Sequence, residues 1–142
     1  MQIKELNNKT EIDKTFKVMS QIYNSLDEKS YTEEVLIMIQ NGYKMAAIFE
    51  DKDVDEGRCI GVVGVKVARK MQYKRVLEVE DFMICRQKRG IGVGKILIRW
   101  VEWQAMNFNC DKIICSLGTE RIESHKILSR ENFLMDGFKF SK

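Results

Sequence analysis

The sequence predicts a mixed α/β fold with a largely antiparallel central sheet flanked by about four helices. Three observations predict it. Two segments with helical spacing of apolar residues precede a run of β-branched strands, those strands follow one another as a meander, and a glycine-rich loop then separates a strand from a helix.

Gln2 to Leu6 alternates weakly and reads as the first strand. Ile12, Phe16, Met19 and Tyr23 recur at helical spacing and give a first amphipathic helix after Thr10. Ser30-Tyr31-Thr32-Glu33 has the spacing of a capping box, with Tyr31, Val35 and Ile39 on one face of a second helix that Gly42 ends. Lys44 to Glu50 reads as a strand and Asp51 to Gly57 as a polar turn. Arg58 to Ala68, rich in Val and Ile, and Arg75 to Ile84 complete the meander. Val93, Ile96, Leu97, Trp100 and Val101 trace a third helix running towards Phe108. Asp111 to Leu117 is a further strand, Glu120 to Arg130 a fourth helix, and Phe133 to Phe140 a hairpin-like strand pair around Asp136-Gly137.

A chain of 142 residues fits one domain, residues 1–142, with no linker or internal repeat to divide it. No apolar run approaches the roughly 20 residues needed to cross a bilayer. The opening Met1-Gln2-Ile3-Lys4-Glu5-Leu6 lacks the layout of a secretory signal, so a cytoplasmic protein without membrane partners is expected. Cys59, Cys85, Cys110 and Cys115 form no CxxC pair, and His125 is the single histidine, so no metal is expected and the thiols read as small hydrophobes. A net charge of +3 is too small to imply a nucleic-acid partner. The basic patch Arg69, Lys70, Lys74 and Arg75 is the only feature pointing that way.

The distribution of charge says more. Between Phe82 and Val101 there is no acidic residue, while Arg86, Lys88, Arg89, Lys95 and Arg99 are all basic. Within that stretch Gly90-Ile91-Gly92-Val93-Gly94 follows a strand and opens a helix. Glycines admit close approach of an anion to the backbone, and the amides of a first helical turn point at it. A pyrophosphate suits such a loop. A Walker loop would need glycine at Arg89 and Ser or Thr at Ile96, and a dinucleotide fingerprint would need glycine at Lys95. Both fail, leaving Arg-x-x-Gly-x-Gly with Arg89, Gly92 and Gly94 in the defining places.

Leu77 to Ile84, then Arg89 to Gly94, then Lys95-Ile96-Leu97, resembles the central motif of the GNAT superfamily of N-acetyltransferases. Gly118 to Lys126 resembles that family's last helix, and Asn132-Phe133 its following turn. The resemblance implies acetyl-CoA as acetyl donor and a primary amine, on a small molecule or peptide, as acceptor in a ternary complex. It implies that the backbone of Phe82, Met83 and Ile84 pairs with the pantetheine arm. The amides of Gly90, Ile91, Gly92, Val93, Gly94 and Lys95, with Arg89, would hold the pyrophosphate. The family's cofactor-touching asparagine falls on Arg121, which makes Arg121 a cofactor-contact candidate.

Transfer to an amine needs a base. Glu80 aligns with a carboxylate that serves as base in some similar enzymes, and Asp81 with one that contacts substrate, so Glu80 and Asp81 are the catalytic candidates. Strict strand alternation would set Glu78, Glu80, Phe82 and Ile84 on one face and Leu77, Val79, Asp81 and Met83 on the other. Many similar enzymes carry a tyrosine that protonates the departing thiolate, and here that position is Leu128. His125 and Ser124, one turn away, are substitutes through water. A non-catalytic CoA-binding or regulatory domain is the alternative. Trp100 and Trp103 read as packing residues, Tyr23 and Tyr31 as candidates to line the acceptor site, and a homodimer is expected because similar proteins often dimerise.

Overall fold

The computed structural model describes residues 2–50, 57–88 and 90–142. The chain runs β1 (Gln2–Leu6), α1 (Lys9–Asp13), α2 (Phe16–Met19), α3 (Glu28–Gln40), β2 (Tyr43–Phe49), β3 (Cys59–Lys70), β4 (Lys74–Ile84), a single 3-10 turn (Arg86–Lys88), α4 (Val93–Asn107), β5 (Lys112–Cys115) and α5 (Ile122–Arg130). The five strands form one sheet in chain order, antiparallel from β1 to β4 and parallel between β4 and β5. This is the mixed, largely antiparallel sheet the sequence predicts. Most of the helices fall where the apolar spacing puts them.

Three local readings change. The first helix is two short ones, because Thr15 turns its hydroxyl back onto the carbonyl of Ile12 at 2.7 Å and meets the hydroxyl of Tyr31 at 2.6 Å. Such side-chain bonding competes with helix continuation. The cap of α3 is Asp27, whose carboxylate accepts from the amide of Ser30 at 2.8 Å, so Ser30 lies inside the helix and caps nothing. Phe133 to Phe140 forms no strands, and Leu134, Met135, Phe138 and Phe140 stand exposed. The expected polar turn at residues 51–57 lies, apart from Gly57, outside the described residues.

Register decides what covers each side of the sheet. Directly opposed residues share a face, which groups Met45, Gly64 and Asp81 on one side and Ile48, Gly61 and Ile84 on the other. On the first side Thr15 and Tyr31 close over Met45. On the second, α4 lies so near β3 that a Cβ on Gly61 would stand 2.7 Å from Val93 and 3.4 Å from Leu97. Phe82, Ile60, Leu77, Leu97 and Ile98 fill the core around these layers. Trp100 packs against that core, whereas Trp103 is exposed and does not pack as the sequence suggests.

Candidate functional site

Strand β4 carries the candidate site because it departs from regular pairing twice. On its β3 side, Val79 opposes Val65 and Asp81 opposes Gly64, so Glu80 is an extra residue with no partner. This is a β-bulge, which bends a strand and re-aims its side chains. It overturns strict alternation: Asp81 falls on the face of Glu78, and Val79 on the face of Phe82. On its other side β4 pairs with β5 only from Val76 to Val79, opposite Lys112 to Cys115. Past Val79 the ladder with β5 ends, leaving the backbone of Phe82, Met83 and Ile84 without a β5 partner.

The two carboxylates stand in different surroundings. Asp81 is 7% exposed, and its oxygens accept hydrogen bonds from Tyr23 and, at 2.6 Å, from Tyr43. Tyr43 reaches it because residue 64 is glycine: a Cβ there would stand 1.7 Å from the phenol oxygen. Burial, first, and the charge of Asp81 together hold both phenols above the usual tyrosine value. They therefore remain donors to Asp81. Glu80, in contrast, is exposed. Partial desolvation, then the negative charges of Asp81 and Glu78, raise its carboxyl above the usual range, while Lys66 opposes the shift. Tyr43 and Gly64 went unread in the sequence, although a lone glycine inside a β-branched run signals close approach. Tyr31, expected to line the acceptor site, is buried, with its hydroxyl 2.6 Å from that of Thr15.

Beyond β4, Gly90 and Gly92 both have φ of +88° and open space where a Cβ would stand. Gly92 is the N-cap of α4 and makes no side-chain cap, so no side chain competes for the amides of the first turn. Lys95 is exposed beside them. Gly94 behaves differently. It is buried, and a Cβ there would meet Ile127 at 3.0 Å and Ile84 at 3.2 Å, so its role is to seat α4 against α5 and β4. Arg89 lies outside the described residues. An anion fits this loop by its open glycines at the start of a helix and by a sequence without acidic residues from Phe82 to Val101.

Arg121, the N-cap residue of α5, donates to the carbonyl of Phe82 and to Ser124 Oγ at 3.0 Å, and approaches Met83 Sδ at 3.3 Å. It shares a cleft of about 350 Å³ with Gln21, Met83, Arg86 and Ser124, and with the carboxylates of Glu120 and Glu123. His125 is tied to the carbonyl of Gly118 at 2.9 Å, and Leu128 is half-buried against the core. Elsewhere the basic hairpin is partly engaged, Lys70 pairing with Glu78 at 2.9 Å and Arg75 bonding the carbonyl of Phe108 at 2.6 Å. Burial pushes the thiols of Cys59 and Cys115 up to about 12, which keeps them protonated and inert. No helix is long and apolar enough to cross a membrane among the described residues.

A family model described as the acetyltransferase (GNAT) family matches residues 13–128. Among solved structures, the aminoglycoside N-acetyltransferase AAC(6')-Iy in complex with CoA superposes with a TM-score of 0.84 at 18% identity, covering 99% of this chain and 93% of that one. A ribosomal-protein-alanine N-acetyltransferase from Brucella melitensis gives 0.82 at 14% identity, covering 100% and 99%. An acetyltransferase from Trypanosoma brucei gives 0.79 at 14% identity, covering 99% of each chain. At such identities the likeness is one of fold. No curated protein matches by sequence.

Proposed function

The chain belongs to the GNAT acetyltransferase family, and from that premise we propose that it acts as a single domain that moves an acetyl group from acetyl-CoA to a primary amine, by direct attack in a ternary complex. One observation carries the reading: the gap between β4 and β5 opens beside the bulge at Glu80 and Asp81, and leads towards the glycine loop at the start of α4. A binding slot, two carboxylates and an anion cradle thus lie along one strand and its continuation.

Acetyl-CoA, when bound, supplies the thioester. The amides from Gly90 to Lys95, with Arg89, would hold its pyrophosphate, and the Phe82–Ile84 backbone would pair with its pantetheine arm. Asp81, fixed by Tyr23 and Tyr43, orients the amine from below. Glu80 takes the amine's proton, directly or through water. Its exposure lets a proton leave to solvent, and its raised pKa makes it a stronger base than an ordinary carboxylate.

The acidic pair favours a cationic acceptor, on a small molecule or a peptide. The aminoglycoside and ribosomal-protein-alanine N-acetyltransferases that share this fold suggest which amines to try first, an aminoglycoside and a peptide beginning with alanine, with a polyamine beside them. Calorimetry with acetyl-CoA, followed by thiol release across that panel, tests the proposal. Binding with amine-dependent release is expected. Binding without release from any amine would favour a regulatory CoA-binding domain, and no binding would remove the proposal altogether.

A further inference from the structure

Acetyl transfer places a negative charge on sulfur, and the gap between β4 and β5 contains a cation able to meet it. The guanidinium of Arg121 bonds the carbonyl of Phe82, three residues past the last residue of β4 that pairs with β5. On the opposite strand its charge favours the thiolate of Cys115, the last paired residue of β5, against the burial that raises that thiol. One group therefore acts on both strands where they part. It is also held in place, by Ser124 one turn along α5 and by the sulfur of Met83 at 3.3 Å. Its charge is permanent at any working pH.

We propose that Arg121 is a catalytic residue whose guanidinium, standing in the gap between β4 and β5, stabilises the thiolate of CoA as it leaves. The role rests on the acetyl-CoA reading above. In the transfer, the amine nitrogen's lone pair forms the C–N bond with the acetyl carbon. The C–S bond breaks with its electron pair on sulfur, and the amine's proton passes to Glu80 or to water. Arg121 gives up no proton. It faces the charged sulfur until solvent protonates it, so departure as thiolate needs no acidic hydroxyl on α5.

The test reads the thiol, not turnover. The ultraviolet absorbance of the thiolate is followed against pH for CoA bound to the full chain, with the complex of desulfo-CoA as blank. A free thiol titrates near ~8.5, and an opposite charge within a few ångströms lowers such a value by about 1–3 units, so bound CoA should titrate at least about one unit low. In Arg121→Gln it should return to the free value or above. Arg121→Lys should keep part of the shift, which lost packing alone would not do. In parallel, the affinity of CoA relative to desulfo-CoA should rise with pH in the parent chain and stay flat in Arg121→Gln. Should the Gln variant fail to fold, Arg121→Lys beside the parent carries the test, and an unshifted thiol in the parent still overturns the role. Bound CoA with an unshifted or raised thiol would overturn the role of Arg121 while leaving the acetyl-CoA reading intact. Absence of CoA binding would remove both.

Discussion

The hydroxyl of Tyr43 donates to Asp81 at 2.6 Å across a strand position that glycine leaves empty. Tyr43 begins β2, Gly64 lies in β3 and Asp81 follows the bulge of β4, so three strands cooperate to fix one carboxylate. Gly64→Ala should force the phenol aside and cost about 1–3 kcal/mol by overpacking. Tyr43→Phe should cost about as much, roughly 1–3 kcal/mol, by leaving a buried carboxylate short of a donor. Both losses are measurable by urea unfolding. Either variant remaining as stable as the parent would mean that the bond is dispensable.

Glu80→Gln separates stability from activity. A carboxyl whose folded value is raised contributes stability that is complete below its unfolded value and is lost as pH climbs through the folded one. At neutral pH the parent therefore carries a small penalty from Glu80 beside Asp81 and Glu78, and the variant relieves it. Tm should hold or rise, while kcat/KM falls by about 10²–10⁴. The acidic limb of the pH–rate profile should lie above the ordinary carboxylate value of about 4.3 and vanish in the variant. An unchanged rate, with the loss appearing in Asp81→Asn instead, would transfer the base role to Asp81.

Two glycines of one loop should fail in different ways. Gly92 is exposed, so Gly92→Glu should abolish acetyl-CoA binding through charge and bulk at the cradle, with a modest fall in Tm from its positive φ. Gly94 is buried against Ile127 and Ile84, so Gly94→Glu should lower Tm sharply before any ligand is added. Calorimetry and thermal melts on both variants separate the effects. Unimpaired binding in a folded Gly92→Glu chain would place the pyrophosphate elsewhere.

Leu128→Tyr asks whether a proton donor adds to what the site already has. The side chain is half-buried against the core, so a phenol is expected to be accommodated with some loss of Tm. Where departure limits the rate, single-turnover acetylation should speed up below the bound thiol's lowered pKa, because a phenol adds a proton to the charge that Arg121 supplies. A folded, cofactor-binding variant with an unaltered profile would show that departure is not limiting.

The central meander and the main helices were legible in the sequence because apolar periodicity follows burial, and burial is what builds those elements. The bulge was not legible. Alternation presumes that every residue of β4 has a partner, and nothing in Val79-Glu80-Asp81 marks which one is left over. The cap at Asp27 was missed because a better-known pattern starts three residues later, at Ser30. For the site, the glycine loop showed its chemistry in its composition, but the division of labour between Gly92 and Gly94 depends on α5, which approaches from far along the chain. Tyr43 was out of reach for the same reason: its link to Asp81 spans 38 residues.

The β3–β4 ladder runs from Lys70 opposite Lys74 to Gly61 opposite Ile84, and Met71 at its tip is wholly exposed. Ten strand steps separate that tip from the end of β4, about 33 Å at ~3.3 Å each. The hairpin therefore works as a handle. A dye on Met71→Cys, an affinity tag or an inserted reporter domain would sit about 20 Å from the candidate carboxylates, joined to them by a paired ribbon. The protein can be immobilised, labelled or tethered there with its working end facing away from the surface.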